Sequence, residues 1–222
     1  EVSLEATPLA VNGTLYFTGG MVAVYAVDAA SGKLLWKYDP QTWKHFPEKM
    51  NLMMYPVNRG AAYADGRVFA TALDGRLFAL DAETGELLWS VETIERGSRY
   101  VSTGAPRTFD GKVITGNGGA DAGARGFVVA HDQVTGKQVW KFYTVPGSPE
   151  DNRGDPAMER AAATWSGEYW KTGTGGTVWN GITFDSELNQ IYIGTSNGGP
   201  YDPARRSPGD GDNLYLTSIV AL

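Results

Sequence analysis

Two glycine-dense stretches hold the residues whose types could do chemistry. The first, Gly116-Asn117-Gly118-Gly119-Ala120-Asp121-Ala122-Gly123-Ala124-Arg125-Gly126, sets a carboxylate in a backbone almost free of bulky side chains. Such backbone lets a planar ligand come close, and its N–H groups can hold anions. It is not a dinucleotide fingerprint, because Asp121 stands where the third glycine is required and no helical pattern follows. The bland alternative is a wide turn. The second stretch, Gly173-Thr174-Gly175-Gly176-Thr177-Val178-Trp179-Asn180, places a hydroxyl and an indole beside flexible backbone. A tryptophan of this kind is either a stacking platform or part of a core. Arg59, in Val57-Asn58-Arg59-Gly60, leads into an apolar strand, where it meets either an anionic ligand or an acid of its own chain. Asn197, in Gly194-Thr195-Ser196-Asn197-Gly198-Gly199, is an oxygen ligand or a turn residue. The run Asp210-Gly211-Asp212-Asn213 lacks EF-hand spacing and its closing Glu, and reads as a turn.

Composition removes other chemistries. The 222 residues contain no cysteine, which excludes disulfides, zinc–thiolate sites, a cysteine nucleophile and c-type haem attachment within this segment. His45 and His131 are the two histidines; their distance in sequence argues against a histidine metal triad, and both read as surface or turn residues. A net charge of −6 without a basic cluster argues against nucleic acid as a partner. No apolar run is long enough to span a membrane, and the start shows no signal-peptide pattern. Glu1 reads as the middle of a strand, with any leader upstream.

The elements that must position these residues follow from a repeat. Ala26-x-Asp28-x-x-x-Gly32-x-x-x-Trp36 recurs as Ala79-x-Asp81-x-x-x-Gly85-x-x-x-Trp89 and Ala130-x-Asp132-x-x-x-Gly136-x-x-x-Trp140. Ser218 to Leu222 reads as a fourth copy cut off before its Asp. In each unit short apolar runs flank Asn12-Gly13, Asp65-Gly66 or Asp110-Gly111, pairs suited to type I′ hairpin turns. The Asp-x-x-Thr/Ser-Gly segment predicts a second turn, capped by the Asp carboxylate and closed by a left-handed glycine. Units of about four antiparallel strands cannot bury both faces alone, so they must stack. The expectation is an all-β chain: part of a β-propeller, about four of eight blades, with repeats near 1–52, 53–104, 105–144 and 145–222. A β-helical solenoid would repeat at roughly half this length or less. Residues 145–170, rich in Pro, Gly and charge, read as an irregular insertion with a functional or interface role.

Taken together, these segments resemble the alcohol dehydrogenases that use pyrroloquinoline quinone (PQQ). They are most similar to the quinohemoprotein members, whose Phe-Tyr-Thr-Val-Pro-Gly and Ser-Pro-Gly-x-Gly-Asp-Asn-Leu-Tyr-Leu segments match residues 142–147 and 207–216. The resemblance runs over essentially the whole chain. It identifies the repeated motif as that family's tryptophan-docking motif and implies that Glu5, Arg59 and Thr103 bind PQQ oxygens and carboxylates. It further implies that the Gly118, Gly119 and Ala120 backbone runs along the cofactor, that Thr177 donates a hydroxyl, and that Trp179 stacks on the quinone. Asp121 and Asn197 fall where the family coordinates calcium. A lanthanide is the alternative ion. A flat tricarboxylate needs a cation, neutral donors and an aromatic face, and a hard cation held by oxygens would polarise the quinone as a Lewis acid.

The resemblance also implies a small alcohol as substrate, a cytochrome or quinone as electron acceptor, and a periplasmic location. Haem c is implied only if the parent carries a cytochrome domain outside this segment. Three positions depart from the family. Asp121 stands where Glu is usual, and Met53-Met54 stand where many members have adjacent cysteines. The general-base Asp is expected beyond Leu222, so no catalytic residue is assigned within the chain, and the isolated segment is expected to be inactive. A non-catalytic binding or assembly propeller is the rival reading: it needs Trp36, Trp89 and Trp140, but not the polar set.

Overall fold

A computed structural model describes residues 5–45, 57–94, 99–172 and 174–222. Met53, Met54 and Gly173, singled out above, lie outside them. The apolar runs form strands. β1 (Leu9–Val11), β2 (Thr14–Thr18), β3 (Val24–Asp28) and β4 (Leu34–Tyr38) make a four-stranded antiparallel sheet in sequence order. β5 (Ala62–Ala64), β6 (Arg67–Thr71), β7 (Arg76–Asp81) and β8 (Leu87–Glu92) repeat it. A third sheet has the same order in β9 (Arg107–Phe109), β10 (Lys112–Gly116), β11 (Phe127–Asp132) and β12 (Gln138–Tyr143).

The first turn of each unit is a two-residue hairpin, as its sequence requires. Val11 pairs with Thr14, Ala64 with Arg67 and Phe109 with Lys112. Asn12, Asp65 and Asp110 have φ of 47°, 46° and 47°, and the glycines after them 81°, 73° and 69°. Two successive positive φ values are the type I′ signature. The second turn is capped as expected. Asp81 Oδ1 accepts from Glu83 N, Thr84 N and Thr84 Oγ1 at 3.0, 2.9 and 3.1 Å, and Asp28 and Asp132 cap their own turns through Ser31 and Thr135.

Trp36 and Trp89 join one sheet to the next. Trp36 lies opposite Ala26 and Trp89 opposite Ala79 in the strand pairs. Trp36 Nε1 donates to Ala82 O at 3.0 Å, and Trp89 Nε1 to Gln133 O at 3.2 Å. Each ring covers the turn glycine of the following repeat: a Cβ on Gly85 would lie 2.6 Å from Trp36, and one on Gly136 2.8 Å from Trp89. Gly85 and Gly136 therefore have two reasons to lack a side chain, a left-handed backbone and an indole against each.

The chain divides into two compact units. The first comprises Glu1–Gly97, Val101–Thr115 and Ala130–Val139; the second comprises Ser98–Tyr100, Gly116–Val129 and Trp140–Leu222. The third sheet contributes residues to both. In the first unit the core gathers Tyr16, Val24, Trp36, Val68, Phe78 and Leu80, with Phe69, Leu77 and Val113 in a neighbouring cluster. The second unit adds a two-stranded ribbon, β13 (Thr174–Gly175) with β16 (Gly198–Gly199). It also holds a three-stranded sheet in the order β14 (Ile182–Asp185), β15 (Gln190–Gly194), β17 (Ile219–Ala221). Phe127, Val129, Met158 and Ile193 are buried there.

Two expectations need correction. His131 is not at the surface: it sits on β11, a strand buried on both faces from Phe127 to His131. The stretch 145–170 is also not irregular throughout. Besides the short α1 (Thr42–His45), helices α2 (Pro156–Ala162) and α3 (Pro203–Arg206) form in the second unit. Asp155 caps α2 by accepting from Ala157 N and Met158 N, with Pro156 in its first turn. Trp165 and Tyr169 pack with Val145, and Trp165 Nε1 donates to Leu214 O at 2.7 Å. Among the described residues no helix is long and apolar enough to cross a membrane.

Candidate functional site

In the first unit, Glu5, Arg59 and Thr103 come together although 98 positions separate the outer two (5 to 103). The Arg59 backbone N donates to Thr103 O at 3.1 Å, and Thr7 N donates to Arg59 O at 3.3 Å. These bonds tie the segment carrying Arg59 to the other two. Its guanidinium then lies 3.5 Å from Glu5 Oε2 and donates to Thr103 O at 3.4 Å. Arg59 also lines a cavity of about 440 Å³ at the edge strands β1, β5 and β9, with Thr7, Tyr63, Arg107 and Thr108. An arginine 26% exposed, beside a carboxylate and a threonine, holds a planar fork of donors suited to carboxylate recognition.

In the second unit, three segments of small residues pack backbone to backbone. Gly126 N donates to Gly175 O at 2.7 Å and Gly176 N to Asn197 O at 2.9 Å. β13 pairs Thr174 with Gly199 and Gly175 with Gly198. A Cβ on Gly116 would overlap Val178 O, and one on Gly199 would lie 2.5 Å from Ala120 O. The glycine density is thus first a packing requirement. It lets the loop 116–126, the segment 174–177 and the segment 196–199 approach one another.

On that frame the Asp121 carboxylate and the Asn197 amide converge, with Asn197 Nδ2 donating to Asp121 Oδ1 at 3.3 Å. Asp121 is exposed on a short 3-10 turn, Ala120–Ala122, which begins after left-handed Gly119 (φ 100°). Rotating the Asn197 amide by half a turn brings its oxygen toward the carboxylate, and two such oxygens can share a hard cation. Among the described residues no three His, Cys, Asp or Glu side chains cluster as a metal site. A cation here therefore needs amide or backbone oxygens as well.

The remaining candidates are placed differently from one another. Gly118 and Ala120 are buried and Gly119 is partly so. Thr177 is 1% exposed, and its hydroxyl is 2.9 Å from Ser196 Oγ, so it is engaged inside the protein. Trp179 is 41% exposed, which is no core position.

Two buried asparagines escaped the sequence reading. Asn58 precedes Arg59, and Asn117 precedes Gly118. Asn117 Oδ1 accepts from Phe127 N at 2.8 Å, while its Nδ2 donates to Gly118 O and Arg125 O, each at 3.2 Å. It holds the two ends of the glycine loop together. Arg125 stacks its guanidinium on Tyr143, 3.8 Å from the ring centroid, and donates to Val145 O. The available signal was a single polar residue directly before each matched position.

The whole chain, residues 1–222, matches the family model described as "PQQ: Glucose/ethanol/alcohol dehydrogenase, beta-propeller domain". It is 51% identical, over 99% of its length, to the quinohemoprotein alcohol dehydrogenase ADH IIB of Pseudomonas putida. Among solved structures it is similar to the quinohemoprotein alcohol dehydrogenase of Comamonas testosteroni, with 46% identity and a TM-score of 0.93. That match covers 100% of this chain and 33% of the other. A europium-containing methanol dehydrogenase is similar at 35% identity and TM-score 0.84, over 96% of this chain and 38% of the other. The chain spans 32% of the P. putida relative, about a third of its length.

Proposed function

This chain belongs to the glucose/ethanol/alcohol dehydrogenase β-propeller family of PQQ proteins, and from that membership we propose that it is part of a periplasmic enzyme oxidising a small alcohol to an aldehyde or ketone. The observation that carries the reading is the 51% identity, over 99% of the chain, to a quinohemoprotein alcohol dehydrogenase. The site geometry supports it in each unit taken by itself.

The residues fit the implied groups by their chemistry. Arg59, oriented by Glu5 and the Thr103 carbonyl, would take a carboxylate of PQQ in its planar fork. The peptide backbone at Gly118, Gly119 and Ala120 would lie against the cofactor, with no side chain beyond a methyl to hold it off. The exposed Trp179 indole would offer a stacking face. Thr177 would donate its hydroxyl while accepting from Ser196 Oγ, 2.9 Å away. Asp121 and Asn197 would supply oxygens to calcium, or to a lanthanide, once the Asn197 amide turns. When bound, the quinone with its ion supplies an electrophilic two-electron oxidant for the alcohol carbon.

This chain's residues would bind, orient and polarise. Removing the hydroxyl proton belongs to a base that the resemblance puts beyond Leu222, so the 222 residues alone are not a turnover unit. Electrons would leave to a cytochrome or a quinone. The deciding experiment is reconstitution of the full-length protein with PQQ plus calcium or a lanthanide, followed by alcohol-dependent dye reduction. Quinone absorbance with turnover supports the reading. Failure to bind PQQ under both ions overturns it.

A further inference from the structure

We propose that Asn58 is the positioning residue for Arg59, acting with Thr18 and Thr71; the proposal rests on the reading of Arg59 as a carboxylate ligand of PQQ. Asn58 is 6% exposed, and both ends of its amide are engaged. Its Oδ1 accepts from Thr18 Oγ1 at 2.6 Å and from Gly60 N at 3.0 Å, and its Nδ2 donates to Thr71 O at 2.9 Å. Because Asn58 and Gly60 flank Arg59, one side chain fixes the chain both before and after it. Gly60 needs that grip: its φ is +127°, and a Cβ there would lie 3.1 Å from Thr7 O.

Thr71, 1% exposed, extends the network toward the third member of the cluster. Its Oγ1 donates to Gly104 O at 2.9 Å, next to Thr103, whose carbonyl accepts from Arg59 N at 3.1 Å. A buried polar chain from Thr18 through Asn58 and Thr71 to Gly104 therefore runs alongside Glu5, Arg59 and Thr103. A leucine would fill the Asn58 position with a similar volume and no desolvation cost. It would leave the Gly60 N–H and the Thr71 carbonyl unmatched. A fully satisfied buried network holds a single geometry, which an arginine presented to a rigid ligand requires.

Thr18 lies on β2 and Thr71 on β6, so the same bonds also tie two sheets together, and the test must separate that role from positioning. The apo form of the full-length protein would be titrated with PQQ by tryptophan fluorescence, with thermal midpoints measured in parallel. Asn58→Ala is expected to raise the PQQ dissociation constant by about tenfold or more, the scale of loss usual when a ligand's outer partner is removed. Thr18→Val should raise it by a smaller factor, and Thr18→Ser should restore it. Tyr16→Phe removes a different buried bond between the same two sheets, Tyr16 Oη to Ala82 O at 3.0 Å. It should lower the midpoint while leaving the constant at the wild-type value. The proposal is overturned if folded Asn58→Ala binds PQQ like wild type, or if Tyr16→Phe weakens binding as much. Should Asn58→Ala not fold, Thr18→Val with wild-type affinity overturns it alone. Wild-type protein that binds no PQQ would instead remove the reading on which the proposal rests.

Discussion

Asp121 is one methylene shorter than the glutamate the family usually carries at this position, yet it comes within 3.3 Å of Asn197. If the pair holds a cation, Asp121→Asn and Asn197→Ala should each weaken binding by at least about tenfold in the full-length protein, read by terbium luminescence. The thermal midpoint should move little, because Asp121 is exposed and makes no buried bond. Unchanged terbium affinity in both variants would separate these residues from the metal. At this scale the sequence was legible where chemistry is unusual. A lone arginine entering an apolar strand and a carboxylate among glycines stand out by type. Asn58 and Asn117 did not, because an asparagine beside a glycine reads equally well as a turn. Only the coordinates show that each amide is buried and shared among separate segments. His131 was misread for the converse reason, since a polar residue on a strand buried on both faces carries no local mark of burial.

Turns and tryptophans carry the argument at the level of elements. Gly32 and Gly85 are equivalent in the repeat, with φ of 73° and 75°, but only Gly85 lies beneath an indole. Gly32→Ala meets no atom within 4 Å and should cost about 1 kcal/mol, the backbone penalty alone. Gly85→Ala adds a Cβ 2.6 Å from Trp36, and should cost roughly 1–3 kcal/mol more through overpacking. Chemical denaturation of the two variants checks the difference, and equal losses would mean that the indole contact contributes nothing. The turn aspartates predict an acid response. Hydrogen bonds from Ser31, Thr84 and Thr135 hold the Asp28, Asp81 and Asp132 carboxyls below the usual aspartate value. A depressed folded-state pKa means stabilisation that is complete above the unfolded value and lost as pH falls through the folded one. The thermal midpoint should therefore drop as pH falls below about 4, and Asp81→Asn should flatten that drop. A profile unaltered by Asp81→Asn would sink the assignment. The two-residue hairpins were readable to the residue because Asn-Gly and Asp-Gly leave few conformations open. Helix α2 was not, since its seven residues show less than two full turns of pattern, although Asp155-Pro156 with Glu159 was a usable start signal.

For the molecule as a whole, open edges and missing chemistry point the same way. The sheet β14-β15-β17 has three strands where the other repeats have four, and Ile219 on its edge strand β17 is 83% exposed. An apolar edge strand with unpaired backbone groups is a template for another chain. The 222-residue segment produced alone should therefore self-associate with rising concentration, and Ile219→Lys should reduce this in light scattering. Scattering that Ile219→Lys leaves unchanged would place the association elsewhere. The segment should also fail to reduce dye with alcohol, even with PQQ and calcium supplied. Arg59 and Asp121 can hold and polarise, but neither is a base for an alcohol proton while serving as a ligand. Alcohol-dependent turnover by these residues alone would mean that the proton acceptor lies among them, and the assignment of the base to sequence beyond Leu222 would fall with it.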